Sequence, residues 1–173
     1  MIIRQMTKAD IPQVTELLSA NLCSNATKQP ALFVQVVDER ANNNWLHQVI
    51  DSKQFSLVVA EIDGSVAGYL IAYKRRLGTQ AQFLRQTDVF QIDDIQVRQE
   101  FRRKGIGRAL ITEALRQATL RGCNKIELDV FEFNEVALTF YHRLGFRTQK
   151  RRLEIECLDC SENGHNKSLE LSP

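Results

Sequence analysis

The chain has 173 residues, 43% hydrophobic and 25% charged, which suits one domain with its own core and excludes a disordered or fibrous chain. Its 23 lysines and arginines stand against 21 acids, a net charge of +2 that is too balanced for a general nucleic-acid binder. No apolar run reaches the roughly 18 residues of a membrane span, the start lacks a secretory apolar core, and the 4 cysteines are too scattered for a disulfide framework. A reduced, cytoplasmic setting is expected, with no membrane and no nucleic acid as partner.

In chain order, residues 2–6 (IIRQM) read as a short strand. Residues 8–22 place Ile11, Val14, Leu17 and Leu18 at helical spacing, with Thr7 or Asp10 as caps. Residues 23–53 are helical but irregular, broken by Pro30 and by the polar run 42–44 (NNN). They read as surface helix, with the border of a substrate site as the alternative. Residues 55–61 and 65–73 are β-rich and flank an Asp-Gly pair, a strong hairpin signal.

Residues 76–88 read as a loop and 89–97 as a strand. A helix follows from Gly105 to Arg121, with Ile106, Leu110, Ala114 and Ala118 on one face and Gly122 as its terminator. Residues 125–131 form a strand, 134–145 a second helix and 148–156 a final strand, followed by a polar tail over 157–173. The strand-helix-strand unit over 89–131 implies a parallel pair, and the earlier hairpin is antiparallel. The expected class is α/β: a mixed, mostly antiparallel sheet with a central parallel strand-helix-strand unit and helices on both faces. Residues 1–156 read as a single domain.

Arg102, Arg103 and Lys104 run straight into Gly105 and Gly107 at the start of a helix, the end whose dipole repels cations. Glycines let backbone N–H groups turn outward and a ligand approach them closely. Free N–H groups and the dipole make an anion site, to which Arg102, Arg103, Lys104 and Arg108 add charge-assisted bonds. The alternative is a solvated basic turn with incidental glycines. A P-loop needs wider glycine spacing, and a dinucleotide fingerprint needs glycine where Leu110 stands.

The hexapeptide RRKGIG resembles the Arg/Gln-x-x-Gly-x-Gly/Ala signature of the GNAT superfamily of N-acetyltransferases. Residues 92–115 look like that family's fourth strand, pyrophosphate loop and following helix, and residues 134–146 (NEVALTFYHRLGF) resemble its later motif. The resemblance covers about 3–146 and implies the GNAT acyl-CoA N-acyltransferase fold, with acetyl-coenzyme A as co-substrate and an amine as acceptor. It implies that the N–H groups from Arg103 through Lys104, Gly105, Ile106 and Gly107 to Arg108 cradle the pyrophosphate, with Arg102 opening the motif. Ile95, Gln96 and Val97 would run beside the pantetheine arm and offer main-chain hydrogen bonds, as an added strand would. In the family this strand often carries a bulge.

Acetyl transfer to an amine needs a base, since such amines are mostly charged at neutral pH. It also needs a donor for the thioester oxygen and a proton for the departing thiolate. The resemblance puts an acid at Asp93. Asp93 and Asp94 are adjacent on a strand, so only one enters the cleft unless the backbone bulges. Asp94, a water chain, or acids that hold loops, face solvent or bind a cationic substrate are the alternatives. Tyr141 occupies the family's tyrosine position as the acid, against the reading of an aromatic packed on the sheet. Asn134 reads as an N-cap and, by the resemblance, also approaches the coenzyme. The oxyanion donor is expected to be a main-chain N–H near Val97.

No cysteine falls at a motif position, so direct transfer in a ternary complex is expected. Cys157, Cys160 and His165 are spaced like the first three ligands of a zinc knuckle, but Glu170 stands where the fourth cysteine belongs, and no metal is expected. Cys123 reads as a small buried residue. Asp93 and Asp94 suit a cationic amine such as a polyamine, an aminoglycoside or a lysine side chain, whereas Lys150 to Arg152 would favour an acidic acceptor. A coenzyme A-binding regulatory module without turnover and a dinucleotide-binding domain are the competing functions. Homodimerisation stays open.

Overall fold

The computed structural model describes residues 1–34, 38–78 and 85–155, in two compact units, Met1–Glu135 and one that begins at Val136. The first unit opens with β1 (Ile2–Gln5), a 3-10 turn at Lys8–Asp10 and α1 (Ile11–Lys28). The Asp10 carboxylate reaches back to the Thr7 N–H at 2.8 Å and takes a forked pair of bonds from Arg4 at 2.7 and 2.8 Å, which fixes the angle at which the chain enters α1. These bonds hold Asp10 at about 2, below the 3.8 of an ordinary aspartate, chiefly through the Arg4 guanidinium.

α1 continues through Cys23, and the asparagine run does not break a helix. Asn42 to Asn44 lie inside α2 (Glu39–Val49), which Asp38 caps by accepting the Ala41 N–H at 3.0 Å. Asn42 donates to the Ser19 hydroxyl of α1 at 3.3 Å, so a bond between helices offsets the low helix propensity of asparagine.

Asp63 and Gly64, at φ 50° and 78°, join β2 (Phe55–Ile62) to β3 (Ser65–Leu77). β4 (Thr87–Val97), α3 (Ile106–Leu120) and β5 (Lys125–Leu128) complete the unit. The sheet order follows the chain order, β1-β2-β3-β4-β5, antiparallel throughout except for parallel β4–β5. The parallel unit, central in the chain, closes one edge of the sheet. β3 and β4 extend into the expected loop, of which residues 79–84 lie outside the described residues.

Strand alternation sorts the core into two faces. Leu57, Val59, Tyr69 and Ile71 meet Met6, Ile11, Val14, Leu46 and Val49 beneath α1 and α2. Val58, Leu70, Ala72, Phe90 and Ile92 are left for the opposite face, where α3 packs Ile106, Leu110, Ile111, Ala114 and Ala118. Each buried Leu or Ile contributes about 1.5–3 kcal/mol relative to exposure. Cys123, just past α3, is half-buried, and burial pushes its thiol up.

In the second unit, α4 (Glu135–Arg143) ends as its two closing bonds require: Phe146 N–H to Tyr141 O at 3.1 Å and Gly145 N–H to His142 O at 3.0 Å. The final strand expected over 148–156 is not formed over 148–155. Its alternating apolar residues pair with no strand among the described residues, and Leu153 and Ile155 stay 90% and 83% exposed. Residue 156 and the polar tail lie outside the described residues. Among the described residues no helix is long and apolar enough to cross a membrane.

Candidate active site

Where β4 leaves β5, it carries one residue too many. Ile71 of β3 pairs with Asp94, but the next residue, Ala72, pairs with Ile92, so Asp93 is the extra residue of a bulge. β5 follows β4 only as far as the Ile92–Leu128 pair. From Asp93 to Val97, β4 therefore keeps β3 on one side and pairs with no strand on the other, among the described residues.

The Arg98 N–H bonds Ala67 O at 2.9 Å, so the antiparallel alternation bonds Gln96 to Tyr69 and turns the main chain of Ile95 and Val97 to the open side. The expected row of free main-chain groups is thinner than the resemblance implies. Ile95 N–H is taken by the Asp94 carboxylate at 2.9 Å, and Val97 O by Arg102 Nε at 3.1 Å. The Val97 N–H, facing the same way, remains the expected oxyanion donor. Gly68 permits the close β3–β4 contact here, since a Cβ on it would stand 2.6 Å from Gln96 O.

The bulge separates the two acids. Asp94 faces the same side as Ile71 and is held by the Tyr69 hydroxyl, by Ile95 N–H and by Gln96 Nε2 at 3.3 Å. Tyr69 is fully buried, and burial, reinforced by the Asp94 charge, pushes its phenol well above the usual range. Burial also pushes the Asp94 carboxyl up, against the pull of its hydrogen bonds. Asp93 is exposed and meets no hydrogen-bond or ion-pair partner among the described residues, yet partial desolvation beside the sheet raises its carboxyl too.

After a 3-10 turn at Gln99–Phe101, Arg103 and Gly105 adopt the left-handed region at φ 62° and 83°. Glycine takes that conformation freely, whereas arginine there stores about 1–2 kcal/mol. Ile106, 1% exposed, anchors the start of α3, and the first helical bond runs from Ala109 N–H to Gly105 O at 3.0 Å. None of the N–H groups from Arg103 to Arg108 donates a hydrogen bond among the described residues. The basic side chains divide: Arg102 folds back on Val97, Lys104 stands 5.2 Å from the centre of the Phe101 ring, and Arg103 and Arg108 form no ion pair among the described residues. A shallow groove of about 430 Å3 beside this turn is lined by Gly105, Arg108, Ala109 and Thr112.

Asn134 stands immediately before α4, its N–H bonded to Phe131 O at 2.9 Å. Tyr141 lies within α4, half-buried, its ring 5.2 Å from Phe140 and 5.5 Å from Phe146. Among the described residues no His, Cys, Asp and Glu cluster could hold a metal. Cys157, Cys160 and His165 lie outside them.

The sequence reading missed Tyr69, whose bond to Asp94 joins residues 25 apart and leaves no local trace. The bulge did leave one. Ile92 and Ile95 are three apart where the alternation of a strand demands two, which marks one inserted residue.

A bulged strand and a helix start with unspent amides, carried on a mixed sheet with helices packed against it, define an α/β protein. The particular family follows from comparison. The model of the acetyltransferase (GNAT) family matches residues 22–146, and the chain belongs to that family. It is 38% identical over 61 residues to L-ornithine N5-acetyltransferase of Arabidopsis thaliana, covering 35% of this chain and 27% of that protein. It is 35% identical over 68 residues to glucosamine 6-phosphate N-acetyltransferase of Trypanosoma brucei brucei, covering 39% and 44%. The chain thus aligns with less than half the length of these relatives. In fold it is similar to the BH1408 protein of Bacillus halodurans, with TM-score 0.85 at 24% identity over 91% of this chain and 100% of that one. It is also similar to AAC(6')-Iy in complex with a CoA-S-monomethyl-acetylneamine bisubstrate analog, with TM-score 0.72 at 20% identity over 90% and 97%.

Proposed function

We propose that the protein transfers an acetyl group from acetyl-coenzyme A to a primary amine, by direct attack with both substrates bound. The observation that carries this reading is the run of N–H groups from Arg103 to Arg108, which bond nothing among the described residues and follow a residue, Arg102, that bonds the last carbonyl of β4. A side-chain cap can satisfy part of such a run, and Gly105 supplies none. A pyrophosphate satisfies them together and relieves the repulsion among the neighbouring cations.

The co-substrate supplies an activated acyl thioester; this chain supplies position and proton traffic. The open side of β4 aligns the pantetheine arm, and the Val97 N–H stabilises negative charge on the thioester oxygen. Asp93 takes a proton from the acceptor ammonium, directly or through one water, which frees the nitrogen lone pair for the acyl carbon. Its exposed position at the bulge and its raised carboxyl support this role. Tyr141 returns a proton to the departing sulfur, a role that rests on its place in the family motif, and the second proton shed by the nitrogen as the amide forms restores the phenol by way of solvent. Asn134 assists in holding the coenzyme. The acceptor is a small-molecule, polyamine, aminoglycoside or peptide amine, consistent with the named substrates of the relatives.

Thiol release from acetyl-coenzyme A across an amine panel tests this reading, together with calorimetry of coenzyme A binding. Asp93→Asn is expected to lower kcat/KM about 100-fold or more, and Tyr141→Phe about tenfold, with coenzyme affinity kept. In the wild type, kcat/KM rises with pH through the titration of Asp93, and Asp93→Asn removes that limb. Full turnover in both variants refutes the two assignments. Coenzyme binding without thiol release from any amine points to a silent binding module, and the absence of binding heat removes the reading altogether.

A further inference from the structure

Asp94 uses both of its carboxylate oxygens. One accepts the Ile95 N–H at 2.9 Å and Gln96 Nε2 at 3.3 Å, and the other accepts the Tyr69 hydroxyl. Two of these three bonds lie within β4 and travel with it. The third joins Asp94 to β3, the strand against which the bulge is counted. Tyr69 stands directly opposite Gln96 and so diagonally from Asp94, a separation that an aromatic side chain bridges. It is a fully buried member of the core beneath α1 and α2, which makes its hydroxyl a fixed point.

A fixed point is needed here because residues 93 and 94 are the same amino acid. Moving the bulge by one position seats Asp93 opposite Ile71 and leaves Asp94 as the extra residue, with no change of side chain in either place. The donors break the tie. An acid seated from position 93 stands one residue farther along the chain from the Ile95 N–H and from Gln96, so Asp94 is the one that meets all three donors. Without the Tyr69 hydroxyl, a carboxylate turned inward lacks its buried donor, and the inward seat loses its advantage. Asp93 has no hydrogen-bond or ion-pair partner among the described residues and takes its position from its neighbour.

We infer that Tyr69 is a positioning residue for acetyl transfer: its hydroxyl seats Asp94 inward and so presents Asp93 as the exposed acid of the bulge. The inference rests on the acetyl-transfer reading above, with Asp93 as its base. Tyr69 is buried and touches neither substrate; it acts through Asp94 on where Asp93 stands.

The test is steady-state kinetics, on the amine that the wild type turns over fastest, together with calorimetry of coenzyme A binding. Tyr69→Phe keeps the ring in the core and removes only the hydroxyl. It is expected to lower kcat about tenfold or more, while the KM for acetyl-coenzyme A and the coenzyme A affinity stay within about twofold of wild type. In an Asp93→Asn background the same change is expected to cost less than about twofold, because a base that is gone cannot be misplaced. Asp94→Asn, which keeps an oxygen for the Tyr69 hydroxyl, is expected to lose less than Tyr69→Phe. Its own cycle with Asp93→Asn, with the same non-additive outcome expected, carries the test should Tyr69→Phe fail to fold. Full turnover in Tyr69→Phe, losses that multiply with Asp93→Asn, coenzyme affinity falling in step with kcat, or a larger loss from Asp94→Asn than from Asp93→Asn overturns the inference while the transfer reading stands. Full turnover in Asp93→Asn removes the base assignment and the inference with it, and no thiol release with any amine removes the transfer reading as well.

Discussion

The two ends of α3 obey opposite rules. At the C-terminal end the closing bonds are made: Cys123 N–H returns to Ala118 O at 2.9 Å and Gly122 N–H to Thr119 O at 3.0 Å. Arg121 fastens the same end to the chain before β2, donating to Lys53 O and Gln54 O at 3.1 Å and to Phe55 O at 2.9 Å. Lys74, itself paired with Asp88 at 2.8 Å, caps Arg121 O at 2.9 Å. At the N-terminal end the amides bond nothing among the described residues, cations face the positive end of the dipole, and Arg103 is held in a strained conformation. One end is finished by the protein; at the other the amides are left open among the described residues. The start of α1 sharpens the contrast, since there Asp10 supplies the negative charge from within the chain.

That contrast can be broken at either end, beginning with the largest effect. Arg121→Ala removes three carbonyl bonds at the finished end and is expected to cost about 2–3 kcal/mol in urea unfolding. Coenzyme affinity should stay within about twofold of wild type, and a large drop would mean the two ends are not independent. The start of α1 comes next. Asp10 titrates at about 2 when folded against 3.8 in an ordinary aspartate, so its contribution is present above pH 4 and is lost as pH falls through 2. That contribution is about 2 kcal/mol, and Asp10→Asn should flatten the acid limb of the stability profile.

At the unfinished end the balance of effects reverses. In Gly105→Ala the new Cβ meets nothing within 4 Å, so only the φ of 83° is penalised. The expected loss is about 1 kcal/mol of stability but about tenfold or more in coenzyme affinity, because the methyl group intrudes where a diphosphate approaches. Arg103→Gly is the smallest change. Relief of left-handed strain offsets the extra chain entropy of glycine, so stability moves by less than about 0.5 kcal/mol. Calorimetry should show a several-fold weaker affinity with a shallower salt dependence. If either variant loses stability and keeps affinity, the turn is structural and the anion site is misplaced.

Much of the molecule was legible beforehand because its signals are local. Asp63-Gly64 announces a hairpin, the spacing of Ile106, Leu110, Ala114 and Ala118 fixes the buried face of α3, and Gly122 marks where it stops. The basic, glycine-paired turn at the start of α3 was legible for the same reason, since Arg102, Arg103, Lys104, Gly105 and Gly107 follow one another in the chain. The asparagine run misled because propensity describes an isolated helix, whereas Asn42 is held by Ser19 on another one. The final strand misled because alternation says which face a strand would bury and not whether a neighbour exists to pair with it.

The residue order by itself determined the hairpin, the bounds of the main helices and the placement of cations and glycines at one helix start, all of which depend on contacts within a few positions. Only the tertiary structure decided that Asp93 is the bulged residue, that Asp94 is turned inward to Tyr69, that the Ile95 amide is already spoken for, and that Phe33 meets Phe131. Each of these depends on the register between strands or on chain segments far apart in sequence. A one-residue shift in that register exchanges which acid is turned inward; the spacing of Ile92 and Ile95 marks an insertion but not which of the two acids it is.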